Sequence, residues 1–151
     1  MTPRVPSHLR RATAERSRGS RTPEQLPPAR PLKDRVGHAG EVAALSYLKE
    51  QGFHILARDW RSRLGQIDIV AEDGETLVLI EVKARRGTAF GTPEEAVDER
   101  KRRKLRMLLE LYRAQTHRQK QPCRIDVIGL MMDGALTVTK TEHIKDAVQD
   151  D

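Results

Sequence analysis

Residues 77–82 read Leu-Val-Leu-Ile-Glu-Val, an almost unbroken apolar run of strand length that contains one carboxylate. Such a run suits a central strand covered on both faces of a sheet. A charge buried within it is costly unless it is paired or bound to a cation, so Glu81 requires a partner. Lys83 is one candidate. On an extended strand residues 81 and 83 point to the same face, while Ile80 and Val82 point to the other.

The segment upstream supplies a second carboxylate. Residues 65–71 alternate, with Ile67, Ile69 and Ala71 on one face and Gln66, Asp68 and Val70 on the other. Asp73-Gly74 then provides a hairpin turn. Asp68 lies near the end of the partner strand and faces Glu81 if the register allows.

Around this hairpin the pattern predicts two helices and three further strands. Residues 40–52 carry Val42, Leu45 and Leu48 at helical spacing, with Gly52 as a left-handed stop. Residues 53–60 alternate loosely, as a first strand would, and a polar stretch follows at 61–64. After a loop with Gly87, Gly91 and Pro93, Thr92 and Glu95 form a capping box with Pro93 at the first helical position. That predicts a second helix running to about Gln115, with Val97, Leu105, Leu108, Leu109 and Tyr112 as its buried stripe. Residues 124–131 and 135–139, joined through Asp133-Gly134, read as two closing strands. The order is helix, three strands, helix, two strands, an α/β arrangement.

The net charge of +6 is unevenly distributed. Residues 1–36 hold nine Lys or Arg against three acids, whereas residues 37–151 hold nineteen of each. The first segment also contains six of the eight prolines and no sustained hydrophobic period, which reads as a disordered basic Pro/Arg-rich tail of residues 1–36 ahead of one domain over 37–151. The tail is either a cationic arm that raises encounter with phosphate backbones or a solvated leader without a role. Because the domain itself is neutral, its basic clusters must carry any case for nucleic-acid binding. Those clusters are Arg85 with Arg86, and the run Arg100, Lys101, Arg102, Arg103 and Lys104. Either could contact phosphates flanking a scissile bond, and either could be a solvated face. No apolar run is long enough to span a bilayer, the single Cys123 cannot form an internal disulfide, and no Cys/His cluster has zinc spacing. A cytoplasmic setting is expected, with no membrane partner. Aromatic residues are 3% of the chain, which leaves little material for recognition by base stacking.

Two carboxylates with a nearby ammonium form a sensible phosphodiester-cleaving unit. Asp68 and Glu81 offer hard oxygens to Mg²⁺ or Mn²⁺, and the backbone carbonyl of Val82 offers one more. Such a metal polarises the phosphate and acidifies a bound water, while Lys83 positions that water or neutralises the developing charge. Glu-x-Lys alone is also a common pair of neighbours on exposed strands. The apolar run around it and the Asp on the partner strand favour the site. Arg124 and Asp126 read as a strand-borne pair open to a catalytic or a structural role, with structure the favoured reading.

Gly40-Glu41 opening a helix, Gly65-Gln66-Ile67-Asp68-Ile69-Val70-Ala71, Asp73-Gly74, Glu81-Val82-Lys83-Ala84-Arg85 and Arg124-Ile125-Asp126-Val127 together resemble the YraN family of small bacterial proteins. The resemblance covers about residues 36–132. That family is similar to the restriction-endonuclease-like superfamily, whose Asp…Glu-x-Lys signature holds catalytic metal and which includes Holliday junction resolvases. The resemblance implies an α/β fold with a central mixed β-sheet flanked by helices and a nucleic-acid role without a settled substrate. The leading reading is a metal-dependent, resolvase-like endonuclease acting on nucleic acid, with DNA favoured over RNA. The resemblance matches Asp68 and Glu81 to the metal ligands, Lys83 to the catalytic lysine, and Glu41 to a helical acid that assists in some relatives. A homodimer is compatible with a junction enzyme of this kind. The family pattern Gly-Glu-Ile-Asp is here Gly-Gln-Ile-Asp. Gln66 can accept a hydrogen bond or coordinate weakly, but it supplies no negative charge. Two alternatives to an enzyme are a non-catalytic nucleic-acid-binding protein that keeps the nuclease scaffold, and an adaptor that docks to another protein.

Overall fold

The computed structural model describes residues 30–87, 92–93 and 95–149. Its elements are α1 (Leu32–Glu50), β1 (His54–Ser62), β2 (Gly65–Asp73), β3 (Thr76–Arg86), α2 (Glu99–Gln115), β4 (Cys123–Met132) and β5 (Val138–Ile144). The five strands form one sheet in sequence order. All neighbours run antiparallel except β3 and β4, which are parallel and joined through α2. The sheet is therefore mixed, and each helix covers one face.

The apolar run predicted to be central is so: Leu77, Val78, Leu79 and Ile80 are fully buried in β3. Leu77 and Leu79 pack with Leu105, Leu108, Leu109 and Tyr112 of α2, together with Ile125 and Val127 of β4. Val78 and Ile80 point the other way, to Ala44 and Leu48 of α1, Phe53 and Ile128. Period-two alternation on one strand thus feeds two separate cores.

Helix α1 begins earlier than the apolar pattern suggested. It starts after Pro31, whose extended ψ of 148° makes it the N-cap, and Asp34 lies in the first turn where the helix dipole favours an acid. Residues 32–36, read from composition as tail, are therefore helical, with Val36 buried. The remainder of the expected tail, to residue 29, lies outside the described residues, as do 88–91 of the expected loop. Gly40 is internal to the helix, where it costs stability relative to Ala. Its place there is steric: a Cβ at Gly40 would collide with the Cβ of Ala84 on β3.

Helix α2 begins later than predicted. The capping-box bonds do form, with the Thr92 N–H on Glu95 Oε2 and the Glu95 N–H on Thr92 Oγ1, both at 3.3 Å. They close only a turn. Val97 is drawn into the core beneath α2 and Asp98 is extended (ψ 174°), so the helix restarts with Asp98 as N-cap accepting from the Lys101 N–H at 2.8 Å. β5 also starts late, because Asp133 accepts from the N–H groups of Ala135 and Thr137 and holds those residues in a turn.

Candidate active site

β2 and β3 pair only from Asp73↔Thr76 to Ile69↔Ile80, after which β3 continues to Arg86 with β4 alone on its other side. β2 continues towards Gly65 paired with β1. The strands thus fork. At the fork Val82 would lose its ladder partner, and the Asp68 carboxylate takes over, with Oδ2 accepting the Val82 N–H at 2.8 Å. This bond fixes Asp68 one residue from Glu81.

The fork also corrects the alternation read for β2. Ile67 packs with Val70 against α2, while Ile69 and Ala71 face α1. Alternation slips at Asp68 because the strand leaves its inner neighbour there. Gln66 does not turn to Asp68. Its Nε2 donates to Asp59 Oδ1 at 2.9 Å, and Asp59 lies close enough to Glu41 of α1 to raise its carboxyl. Asp59 sits between the pairs Arg58↔Ile69 and Trp60↔Ile67, opposite Asp68, with a left-handed φ of 50°. Asp tolerates that conformation better than most side chains. Glu41, Asp59 and Asp68 line one small cavity of about 50 Å³ with His38 and Arg58 at its rim.

Glu81 is 5% exposed. Its Oε1 receives two ammonium groups, Lys83 Nζ at 3.2 Å and Lys101 Nζ at 3.4 Å. Lys83 was expected from the strand. Lys101, expected as a phosphate contact, comes from the first turn of α2 and was not legible as a partner of Glu81. Asp59 was also missed, since an Asp between Arg58 and Trp60 on an outer strand carries no signal of its own.

Electrostatically the site is strained in one direction. The Asp68 carboxyl is pushed up to about 7, first by burial and then by the nearby Glu81 charge, against the opposing Val82 hydrogen bond. Glu41 is raised as well, by burial and by Asp59, and opposed by His38 and Arg58. Two carboxylates that destabilise each other's charge are a donor set that a small hard cation relieves. Among the described residues no three His, Cys, Asp or Glu side chains converge on one point. A cation at this fork would rest on Asp68, Glu81, the Val82 carbonyl and water, a ligand count that suits Mg²⁺.

The other basic residues divide. Arg100, Arg103 and Lys104 are exposed on α2. Arg102 is not available to a ligand, because it bonds the Val97 carbonyl at 3.1 Å and the Ala147 carbonyl at 3.3 Å and so ties α2 to the end of the chain. Arg85 is half-buried and Arg86 exposed at the far end of β3. Arg124 and Asp126 form the structural pair expected of them. Asp126 is fully buried among Arg124, His143 and the Asp146 N–H, at 2.8 to 3.0 Å. Burial alone would raise its carboxyl, but these hydrogen bonds outweigh burial and hold it below the usual carboxylate value. Arg124 also reaches Asp73 at 2.7 Å, tying the β2–β3 turn to β4.

Fold and site together define a two-faced mixed-sheet α/β protein with a carboxylate pair and two lysines at a strand fork. The chain belongs to the uncharacterised protein family UPF0102, whose model matches residues 40–130, in agreement with the YraN-like resemblance. It is 50% identical over 97 residues to a UPF0102 protein of Symbiobacterium thermophilum, covering 64% of this chain and 82% of that one. A UPF0102 protein of Moorella thermoacetica is 44% identical, with 75% and 94% covered. One from Rhodococcus opacus is 41% identical, with 74% and 94% covered. Among solved structures, "Structure of EndoMS-dsDNA2 complex" aligns at TM-score 0.36 and 18% identity, over 75% of this chain and 39% of that chain. Likeness at that level leaves the functional reading to this chain's own residues. No helix among the described residues is long and apolar enough to cross a membrane.

Proposed function

We infer that this protein is a divalent-cation-dependent endonuclease of the restriction-endonuclease-like class, which hydrolyses phosphodiester bonds in nucleic acid, DNA rather than RNA, with Asp68, Glu81 and Lys83 as its centre. The observation that carries the reading is the fork: two carboxylates of neighbouring strands, one with its carboxyl raised by burial and by the other, and an ammonium 3.2 Å from the second. Mg²⁺ or Mn²⁺, when bound, would supply Lewis acidity to the phosphate and a hydroxide-like water. The chain's own residues do the rest. Asp68 and Glu81 hold and orient hard oxygens at the open side of β3, and Asp68 is kept in place by the Val82 N–H. The Lys83 side chain is 30% exposed, which lets its ammonium donate to an attacking water or to a non-bridging phosphate oxygen while still anchored to Glu81. Glu41 lies beyond Asp68, linked through Asp59 to Gln66, so the residue that stands where the family pattern has Glu acts on the outer acid and not on the central pair. The exposed Arg100, Arg103 and Lys104 supply phosphate contacts beside the site.

Incubating pure protein with branched, duplex and single-stranded DNA, and with RNA, under Mg²⁺ or Mn²⁺ tests this reading. Cleavage is expected of at least one DNA form and its loss, by about a hundredfold or more, in Asp68→Ala and Lys83→Ala. Cleavage that survives in both variants, or is absent with every substrate and metal, overturns the assignment. Salt-dependent binding without cleavage would establish the non-catalytic scaffold instead.

A further inference from the structure

Of the five consecutive basic residues that open α2, only Lys101 turns its ammonium to the buried acid at the sheet fork. Arg102 is engaged with the Val97 and Ala147 carbonyls, and Arg100, Arg103 and Lys104 lie on the exposed side. The first turn that carries Lys101 is fixed by the Asp98 cap, which accepts its N–H at 2.8 Å. Lys101 Nζ then lies 3.4 Å from Glu81 Oε1, on the same oxygen as Lys83. The Glu81 side chain is 6% exposed and that of Lys101 33%, so the ammonium stands at the mouth of the site with its acid inside.

Without any metal the fork holds at most two negative charges, Asp68 and Glu81, facing the two ammonium groups of Lys83 and Lys101. A divalent cation entering alone would leave the fork with an excess of two positive charges and would have to displace an ammonium from Glu81. A cation entering with a phosphodiester meets a smaller cost, because the phosphate's one negative charge takes up part of that excess and offers the displaced ammonium a new anion. We propose that Lys101 is a positioning residue that makes cation binding depend on substrate: it occupies Glu81 while the site is empty and swings to the scissile phosphate when a cation takes Glu81. This rests on the cation-dependent reading of the site given above. Lysine suits the task, since its long stem reaches either anion from one backbone position. Coupling of this kind is reciprocal, so nucleic acid tightens the cation by the same factor as the cation tightens nucleic acid.

The test is calorimetric titration of Mn²⁺ into the full chain without nucleic acid, for wild type, Lys101→Met, Lys101→Gln and Lys101→Arg, each checked for folding by circular dichroism. The uncharged variants should bind Mn²⁺ about tenfold or more tightly, because a competing charge a few ångströms from the site has been removed, and Lys101→Arg should stay close to wild type. In cleavage assays the uncharged variants should lose about a hundredfold in kcat with little change in KM. A lysine that merely contacted phosphate would instead weaken substrate binding and leave Mn²⁺ affinity untouched. Unchanged Mn²⁺ affinity in both uncharged variants overturns the inference, and if wild type cleaves in that case the nuclease reading stands without it. Failure of wild type and every variant to take up Mn²⁺ overturns the inference, and the nuclease reading falls with it if wild type also fails to cleave under Mn²⁺. Uptake by the uncharged variants but not by wild type supports the inference.

Discussion

Asp68 ties its charge to the pH at which the fold is most stable. Its carboxyl is raised to about 7 by burial and by Glu81, whereas in the unfolded chain an Asp titrates near 3.9, roughly its model-peptide value. Between these values the folded state holds more protons than the unfolded one. Stability linked to Asp68 is therefore complete below about pH 4 and is lost as pH rises towards 7. Asp68→Asn removes the titration but keeps an oxygen that can accept the Val82 N–H. In EDTA, urea denaturation should find this variant more stable than wild type at pH 8 by on the order of 2 kcal/mol, with the gap closed at pH 4. A wild type as stable as the variant at pH 8 would mean that the carboxylate is not penalised in the fold. Lower stability of a site without a counter-ion is the ordinary consequence of placing like charges together.

At the scale of elements, the crossing of α1 over β3 sets where Glu41 lies. The helix passes so close to Ala84 that only Gly fits at position 40. Gly40→Ala should lower stability by about 1–3 kcal/mol through overpacking, despite the better helix propensity of Ala. Ala84→Gly in the same chain should restore part of that loss, because it removes the other methyl group. A Gly40→Ala protein with undiminished stability in thermal and urea unfolding would show that the helix can back away freely. Helix α2 illustrates a different balance. A capping box formed as its residues dictate, yet burial of Val97 interrupted the helix and moved its start to Asp98. That shift of six residues puts Lys101 in the first turn, beside Glu81, where a helix begun at Pro93 would have carried it in its third turn.

For the domain as a whole, the proposed attraction to nucleic acid rests on placement, since residues 37–151 hold equal numbers of basic and acidic side chains. Arg100, Arg103 and Lys104 share the exposed side of α2. The stem of Lys104 lies over Gly65, where an added Cβ would sit 2.7 Å from its Cε, so this face continues onto the β1–β2 hairpin with exposed Arg61 and Arg63. Arg100→Ala combined with Arg103→Ala should reduce the slope of log K against log salt by about 2, uniformly across sequences. Arg102→Ala should leave that slope alone and cost stability instead, because its hydrogen bonds are internal. Fluorescence anisotropy across a salt series separates the two, and an unchanged slope in the double variant would remove α2 from the binding face.

Local sequence was enough to place the order of elements, the central strand and the nearness of Asp68, Glu81 and Lys83. Each of these follows from local period, turn chemistry and the cost of a charge in an apolar run, which act over a few residues. Tertiary structure decided the rest. A period of two reports faces only while a strand keeps its neighbours, so the slip of Ile67 to the α2 side became visible only once β2 was seen to leave β3 at Asp68. The partners of Gln66 and Lys101 lie on other elements, 7 and 20 residues away in the chain, at Asp59 and Glu81. No local pattern carries such pairings, because they are set by how a hairpin curls and where a buried valine stops a helix. The carboxylate in the apolar run announced that a partner was needed, and only packing revealed that it has two.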